Sequence, residues 1–265
     1  MTCRPLFSTL TKAELNITIV QTTLFWESPN QNKNHLSALL KNVAPTDLIV
    51  LPELFTTAFS MTAKAESMQG DSVAWLKELA RQKNALIIGS ILIEENNKLY
   101  NRLICMFPNG NCSHYDKRHL FSMMKEDEVI SKGGSRIVIE HLGWKICPLV
   151  CYDLRFPVYS RNNHEYDVLL YTANWPLKRI KHWTKLLNAR AIENQSYVIG
   201  VNRIGEDGNK SFFNGKSAVF DFDGELVLDC ESAETCSIVT ISKEKLIQYR
   251  ERLPFLKDQY LFTIH

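Results

Sequence analysis

The chain has 265 residues, 45% of them hydrophobic and 23% charged, enough apolar material for a large core at a length that often forms a single α/β unit. A formal net charge of +2, with basic residues interleaved among acidic ones, leaves no electrostatic footprint for a nucleic acid. No run reaches the roughly 18 apolar residues of a transmembrane helix. The first 14 residues lack the continuous apolar stretch of a signal peptide, so a cytoplasmic protein without membrane attachment is expected.

Strands and helices alternate before hairpins take over. Leu15–Val20 reads as a strand, Asn34–Val43 has helical spacing in Leu36, Leu39, Leu40 and Val43, and Leu48–Leu51 is a strand again. A helix over Val73–Gln82 follows, with Asp71 and Ser72 as cap candidates. Ala85–Ile93 and Leu99–Phe107 alternate across Asn96-Asn97, and Pro108-Asn109-Gly110 turns the chain back. An apolar stretch ending in Leu149-Val150 runs into the polar, proline-stopped turn Cys151-Tyr152-Asp153-Leu154-Arg155-Phe156-Pro157. Beyond it come a strand at Val168–Tyr171, a helix at Trp183–Glu193, a strand at Tyr197–Asn202, and a hairpin of Gly215–Phe222 with Glu225–Leu228 around Asp223-Gly224. The alternation alone says α/β or α+β, and no linker or repeat divides residues 15–265.

Seven cysteines, at 3, 105, 112, 147, 151, 230 and 236, form no disulfide framework and fit a reducing compartment. No C-x-x-C or His pair at ligand spacing accompanies them, so neither metal nor cofactor is expected. Asp221-Phe222-Asp223-Gly224 lacks the later glutamate of a calcium loop and reads as a turn. The triplets beginning at Asn16, Asn111 and Asn194 carry no weight without a secretion signal. Lys178-Arg179-Ile180-Lys181, the densest basic cluster, reads by default as a solvated helix start.

Three chemical groups follow predicted strands in the order Glu53, Lys117, Cys151. A thiol at a strand-to-helix corner leaves backbone N–H groups free to face an oxyanion, so Cys151 supplies an attacking atom and Tyr152 N–H part of a charge trap. Leu51-Pro52-Glu53 ends an apolar run with a carboxylate, and Tyr115-Asp116-Lys117 places an ammonium 34 residues before the cysteine. Singly, each has an ordinary reading: a core thiol, a solvated strand end, a surface charge. A Cys-His pairing with His119 or His182 ranks below the Glu and Lys already in place.

Together these segments resemble the nitrilase superfamily of carbon–nitrogen hydrolases, whose Glu-Lys-Cys triad lies in such strings. The resemblance runs from about Leu15 to Phe262 and is nearest to the omega-amidases of the amidase branch. It is strengthened by Ala173-Asn174-Trp175-Pro176, His182-Trp183, Ala189 to Gln195 and Val201-Asn202-Arg203. It implies a four-layer αββα sandwich, residues 1–14 as an extension outside the hydrolase domain, and assembly as a homodimer or higher homo-oligomer. The implied activity is metal-independent hydrolysis of small omega-amides such as 2-oxoglutaramate and succinamate through a Cys151 thioester. Aliphatic amidase, nitrilase, carbamoyl-amino-acid hydrolase and soluble acyltransferase activities stay open, because the same triad serves them.

A second glutamate usually accompanies the triad. Met124-Lys125-Glu126-Asp127-Glu128 supplies candidates, of which Glu126 is chosen to hold the lysine. Close relatives tend to have glycine where Lys125 stands, which leaves the local loop shape open. For the substrate's distal carboxylate Arg179 is the candidate, with Asn174 and Trp175 beside it, although a surface cation fits Arg179 as well. Arg155, Arg190 and Arg203 read as structural, Arg190 pairing with Glu193 at i,i+3.

Overall fold

The computed structural model describes residues 11–163 and 166–260; Cys3, most of the proposed N-terminal extension, Leu261 and Phe262 lie outside the described residues. In chain order the elements are β1 (Glu14–Gln21), α1 (Pro29–Leu40), β2 (Leu48–Val50), α2 (Asp71–Lys83), β3 (Leu86–Glu95), β4 (Lys98–Met106) and β5 (Cys112–Asp116). A short helix α3 (Glu126–Val129) leads to β6 (Ile139–His141) and β7 (Trp144–Val150), then the short α4 (Pro157–Ser160) and β8 (Val168–Ala173). The last third holds α5 (Ile180–Asn194), β9 (Tyr197–Asn202), β10 (Ile204–Glu206), β11 (Phe212–Asn214), β12 (Ala218–Phe220), β13 (Leu226–Asp229), β14 (Thr235–Ser242) and α6 (Lys243–Arg252).

Two six-stranded sheets result, ordered β14-β1-β2-β3-β4-β5 and β13-β12-β9-β8-β7-β6, each with three parallel strands at its centre and antiparallel strands outside. Burial on both faces follows from the near-continuous apolar strands. In the first sheet Ile17, Val50, Ile88 and Leu103 join the cluster shared with the second sheet, while the intervening Ile49, Ile87 and Ile104 pack with Leu36, Leu40, Leu76 and Ala80 of α1 and α2. Strand period two thus assigns alternate residues to two cores. On the far face of the second sheet α5 lays down Trp183 and Leu187, and Gly200 of β9 admits them, since a Cβ there would stand 2.4 Å from Leu187. The layers run α, β, β, α.

Several local expectations need correction. Neither Asp71 nor Ser72 caps α2: Gly70 occupies the cap, and the Glu66 carboxylate from the preceding loop accepts from Ser72 N–H at 2.8 Å and from the Ser72 hydroxyl. Lys12 belongs to the fold, its ammonium 2.6 Å from Asp47 and its carbonyl accepting from Trp144 Nε1. β14 and α6 are absent from the sequence reading. β14 pairs with β1 over 200 residues away and alternates exposed Ile238 and Thr240 with buried Val239 and Ile241, while α6 buries only Leu246 and Tyr249.

Candidate active site

The parallel strands deliver the chemistry at their carboxyl ends, the crevice where open α/β sheets place their ligands. β2 ends at Val50 and the following turn carries Glu53; β7 ends at Val150 and hands on to Cys151; β8 ends at Ala173 before Asn174. Lys117 follows β5, its N–H bonded to the Asn101 carbonyl of β4 at 3.0 Å. The two sheets meet here, Asn174 N–H donating to Glu53 Oε2 at 2.8 Å and Asn174 Nδ2 to the Glu53 carbonyl at 2.7 Å.

Cys151 has φ +43°, a left-handed conformation costing an L-residue about 1–2 kcal/mol. Asp153, fully buried in the same turn, holds the bend: it accepts from Val150 N–H (3.0 Å), Tyr115 hydroxyl (2.8 Å), His119 N–H (3.1 Å) and His119 Nδ1 (2.7 Å). His119, stacked on Phe156, therefore braces the turn. Tyr152 is the second residue of a 3₁₀ turn over Cys151–Arg155, where an N–H has no acceptor inside the turn.

Below the thiol lies a buried ionic cluster. Lys117 Nζ donates at 2.9 Å to Glu53 Oε1 and to both Glu126 oxygens. Asn101 Nδ2 bridges the two acids, 2.8 Å from Glu53 Oε1 and 3.3 Å from Glu126 Oε1, and Phe121 N–H reaches Glu126 Oε2 at 2.6 Å. Burial disfavours the ammonium of Lys117, yet Glu126 and Glu53 outweigh it and hold its pKa above the ordinary lysine value. Burial, then the Glu53 charge, pushes the Cys151 thiol well above the usual range, with Lys117 pulling the other way. Glu126 is raised, first by burial and then by Glu53, against the pull of Lys117.

Above the thiol a small cavity of about 50 Å³ is lined by Phe59, Phe121, Tyr152, Trp175 and Phe213 with Lys117, Asn174, Arg155 and Arg179. One water needs ~10–15 Å³ of such space, so the acyl group it accepts is short. Arg179 is half-buried against the Phe121 ring at 5.0 Å and its pKa is lowered, chiefly by burial; the solvated helix start expected for its segment does not hold for this residue. Arg155, read from sequence as structural, also stands in the cavity wall. Arg190 and Arg203 do tie the fold together, Arg190 to the Leu154 carbonyl and Glu193, Arg203 to the Leu24 and Glu206 carbonyls. Asp127 and Glu128 take no part in the cluster, Glu128 facing Lys125 at an exposed 3.6 Å. No group of three or more His, Cys, Asp or Glu side chains arranged to hold a metal occurs among the described residues.

Asn101, Asp153 and the lining rings of Phe59, Phe121 and Phe213 are the site residues that sequence reasoning missed. Asn101 had a signal: an uncharged polar residue inside the apolar strand Leu99–Phe107, on the face that alternation assigns to the interior.

The carbon-nitrogen hydrolase family model matches residues 16–251. The chain belongs to that family. The hydrolase is 44% identical to Omega-amidase YafV of Escherichia coli (strain K12) over 94% of this chain and 98% of that one. It is 31% identical to the 2-oxoglutaramate amidase of Bacillus subtilis (strain 168), over 91% and 96% of the two chains. Among solved structures it superposes with a TM-score of 0.94 on XC1258 of Xanthomonas campestris, a CN-hydrolase superfamily protein with an arsenic adduct in its active site, at 40% identity and 95% and 99% coverage. The four-layer αββα sandwich is the architecture of this family.

Proposed function

We propose that the hydrolase is an omega-amidase, cleaving the terminal amide of small dicarboxylic acid monoamides such as 2-oxoglutaramate and succinamate. The observation that carries the reading is the pairing of a thiol over a buried Glu53–Lys117–Glu126 cluster with guanidinium groups across a short cavity. The likeness to omega-amidases along nearly the whole chain supports it. True nitrilase or transferase chemistry has no comparable support.

In this reading Cys151 attacks the amide carbon while Glu53 takes the thiol proton. The carbonyl oxygen becomes an oxyanion between the Lys117 ammonium and Tyr152 N–H, a donor of which is worth about 10²–10³ in rate. Collapse breaks the C–N bond, and Glu53 returns the proton to the departing nitrogen, releasing ammonia. Water then attacks the thioester as Glu53 takes its proton; collapse breaks the C–S bond and Glu53 reprotonates the sulfur. Glu53 suits this shuttle because Asn101, Asn174 and Lys117 fix its carboxylate without covering it by bulk solvent. Glu126 orients Lys117, and Arg179 meets the distal carboxylate of succinamate beside Asn174 and Trp175.

Among the described residues no helix is long and apolar enough to cross a membrane. We place the enzyme in the cytoplasm as a homodimer, its hydrolase domain reaching back to about Lys12, with the exposed Phe255 and Tyr260 of the C-terminal run available to a two-fold interface. Ammonia release over a panel of amides, nitriles and carbamoyl amino acids tests the activity. Succinamate and 2-oxoglutaramate should exceed butyramide and glutamine in kcat/KM, and equal rates on succinamate and butyramide would remove the omega-amidase assignment.

A further inference from the structure

The cavity holds one cation more than a single distal carboxylate requires. Arg155 and Arg179 both line it, and neither has an acidic ion-pair partner among the described residues. Asp207, the carboxylate in the same wall, accepts through Oδ1 from Asn209 and Ser211 N–H at 2.8 and 2.9 Å and forms no ion pair with either arginine.

The two guanidiniums stand at different depths. Arg179 rests on the Phe121 ring at 5.0 Å and lies near enough to Cys151 for the sulfur's charge to act on it, which sets its guanidinium toward the reacting groups. Arg155 ends the nucleophile's own turn, lies over the Trp175 ring at 4.7 Å and donates to Nδ1 of the exposed His182 at 3.2 Å, which fixes it at the rim. A guanidinium carries no acceptor, so that bond needs His182 Nδ1 unprotonated. Two cations held on aromatic faces repel one another until an anion enters, which is the arrangement of a receptor for a group with two acceptors in line.

Succinamate and 2-oxoglutaramate differ along that line. Both present an acceptor on the third carbon beyond the scissile carbonyl, a carboxylate in the first and a 2-oxo group in the second. Only 2-oxoglutaramate carries a carboxylate one carbon further. We infer that Arg179 binds the acceptor on the third carbon and Arg155 the outer carboxylate, making Arg155 the residue that ranks five-carbon 2-oxo acid amides above four-carbon ones. The inference rests on the omega-amidase reading and extends it to the order of substrates within that class.

The test is steady-state ammonia release by wild type, Arg155→Gln and Arg155→Lys on 2-oxoglutaramate, succinamate and butyramide. Arg155→Gln should lower kcat/KM for 2-oxoglutaramate by about 10-fold or more, the loss of one charge-assisted contact, mainly through KM. Succinamate should lose far less, so the ratio of the two acids falls; Arg155→Lys, keeping charge without the planar fork, should lie between. An unchanged ratio with wild-type preference for acids over butyramide intact would overturn the Arg155 assignment alone. Equal losses on all three substrates would overturn it too, showing that Arg155 only shapes the Cys151 turn. A wild type indifferent to the acids would remove the omega-amidase reading and this inference with it. Should Arg155→Gln not fold, His182→Ala frees the guanidinium from the surface: the same ratio should fall by a smaller factor through KM, and a constant ratio in that folded variant would count against the proposal.

Discussion

The floor and the mouth of the active site handle charge in opposite ways. On the floor Glu53, Lys117 and Glu126 are at most 1% exposed, and each of the four carboxylate oxygens accepts at least two bonds from Lys117, Asn101, Asn174 or Phe121. In the cavity above it Arg155 and Arg179 lie on aromatic rings with no ion-pair partner among the described residues. A buried ion network contributes little net stability, because desolvation offsets the attraction, and what it supplies is fixed geometry. Satisfied charges are immobile and serve the chemistry, which is the same for every amide. On the proposed assignment the unsatisfied charges choose among amides.

The largest break in that comparison removes the atom where floor and mouth meet. Cys151→Ala should abolish turnover and keep the fold, since the thiol is needed only for the covalent step. Intact mass of wild type trapped with substrate should show an acyl adduct on Cys151. Residual turnover in the variant, or an adduct on the fully buried Cys147, would contradict the assignment.

Next come the floor charges. Glu53→Gln and Lys117→Gln should each lower kcat by more than about 10²-fold, with EDTA leaving the wild type unaffected. The two variants should diverge in a second assay. Glu53 raises the Cys151 pKa and Lys117 lowers it, so the pH profile of thiol alkylation should move down in Glu53→Gln and up in Lys117→Gln. Movement of both in one direction would break the electrostatic account even if both were inactive.

At the mouth the effect should be smaller and substrate-dependent. Arg179→Met should raise KM for succinamate by about 10-fold or more while kcat changes little, the signature of binding lost equally from ground and transition states. Equal damage to succinamate and butyramide would return Arg179 to a structural role.

The same division explains what the sequence made legible. Glu53 and Cys151 follow the apolar strands β2 and β7, so patterning exposes them as polar residues past element ends, whereas Lys117 follows the polar strand β5 and is marked only by its place in a family-like string. Asn101 and Asp153 stay hidden because their partners come from other segments, 48 residues away for Glu53 and 38 for Tyr115, and only the fold brings them together. Arg155 and Arg190 look alike in the chain, an arginine inside a family-like string. Packing alone sends one to a cavity wall and the other to the Leu154 carbonyl. β14 was illegible for a related reason: an edge strand with one wet face carries half the apolar signal of the central strands it completes.

The segment joining floor to mouth gives the smallest effect and the finest test. Phe121 and Met124 line the cavity while Glu126 grips Lys117, and between them Lys125 takes φ +59° and ψ +27°, its N–H returning to the Ser122 carbonyl at 2.8 Å. The left-handed turn is therefore kept without the glycine expected there, at a cost of about 1–2 kcal/mol for an L-residue. The exposed Lys125–Glu128 pair, at 3.6 Å, recovers little of it. Glycine would remove that strain but add about 0.5–1 kcal/mol of unfolded-chain entropy. Lys125→Gly should thus be neutral or stabilising by up to about 1 kcal/mol, whereas the β-branched Lys125→Val should destabilise by about 1 kcal/mol. Urea midpoints at constant m-value read both. If glycine destabilised the protein and valine did not, left-handed geometry would not be what this position demands, and the seating of Glu126 would need another explanation.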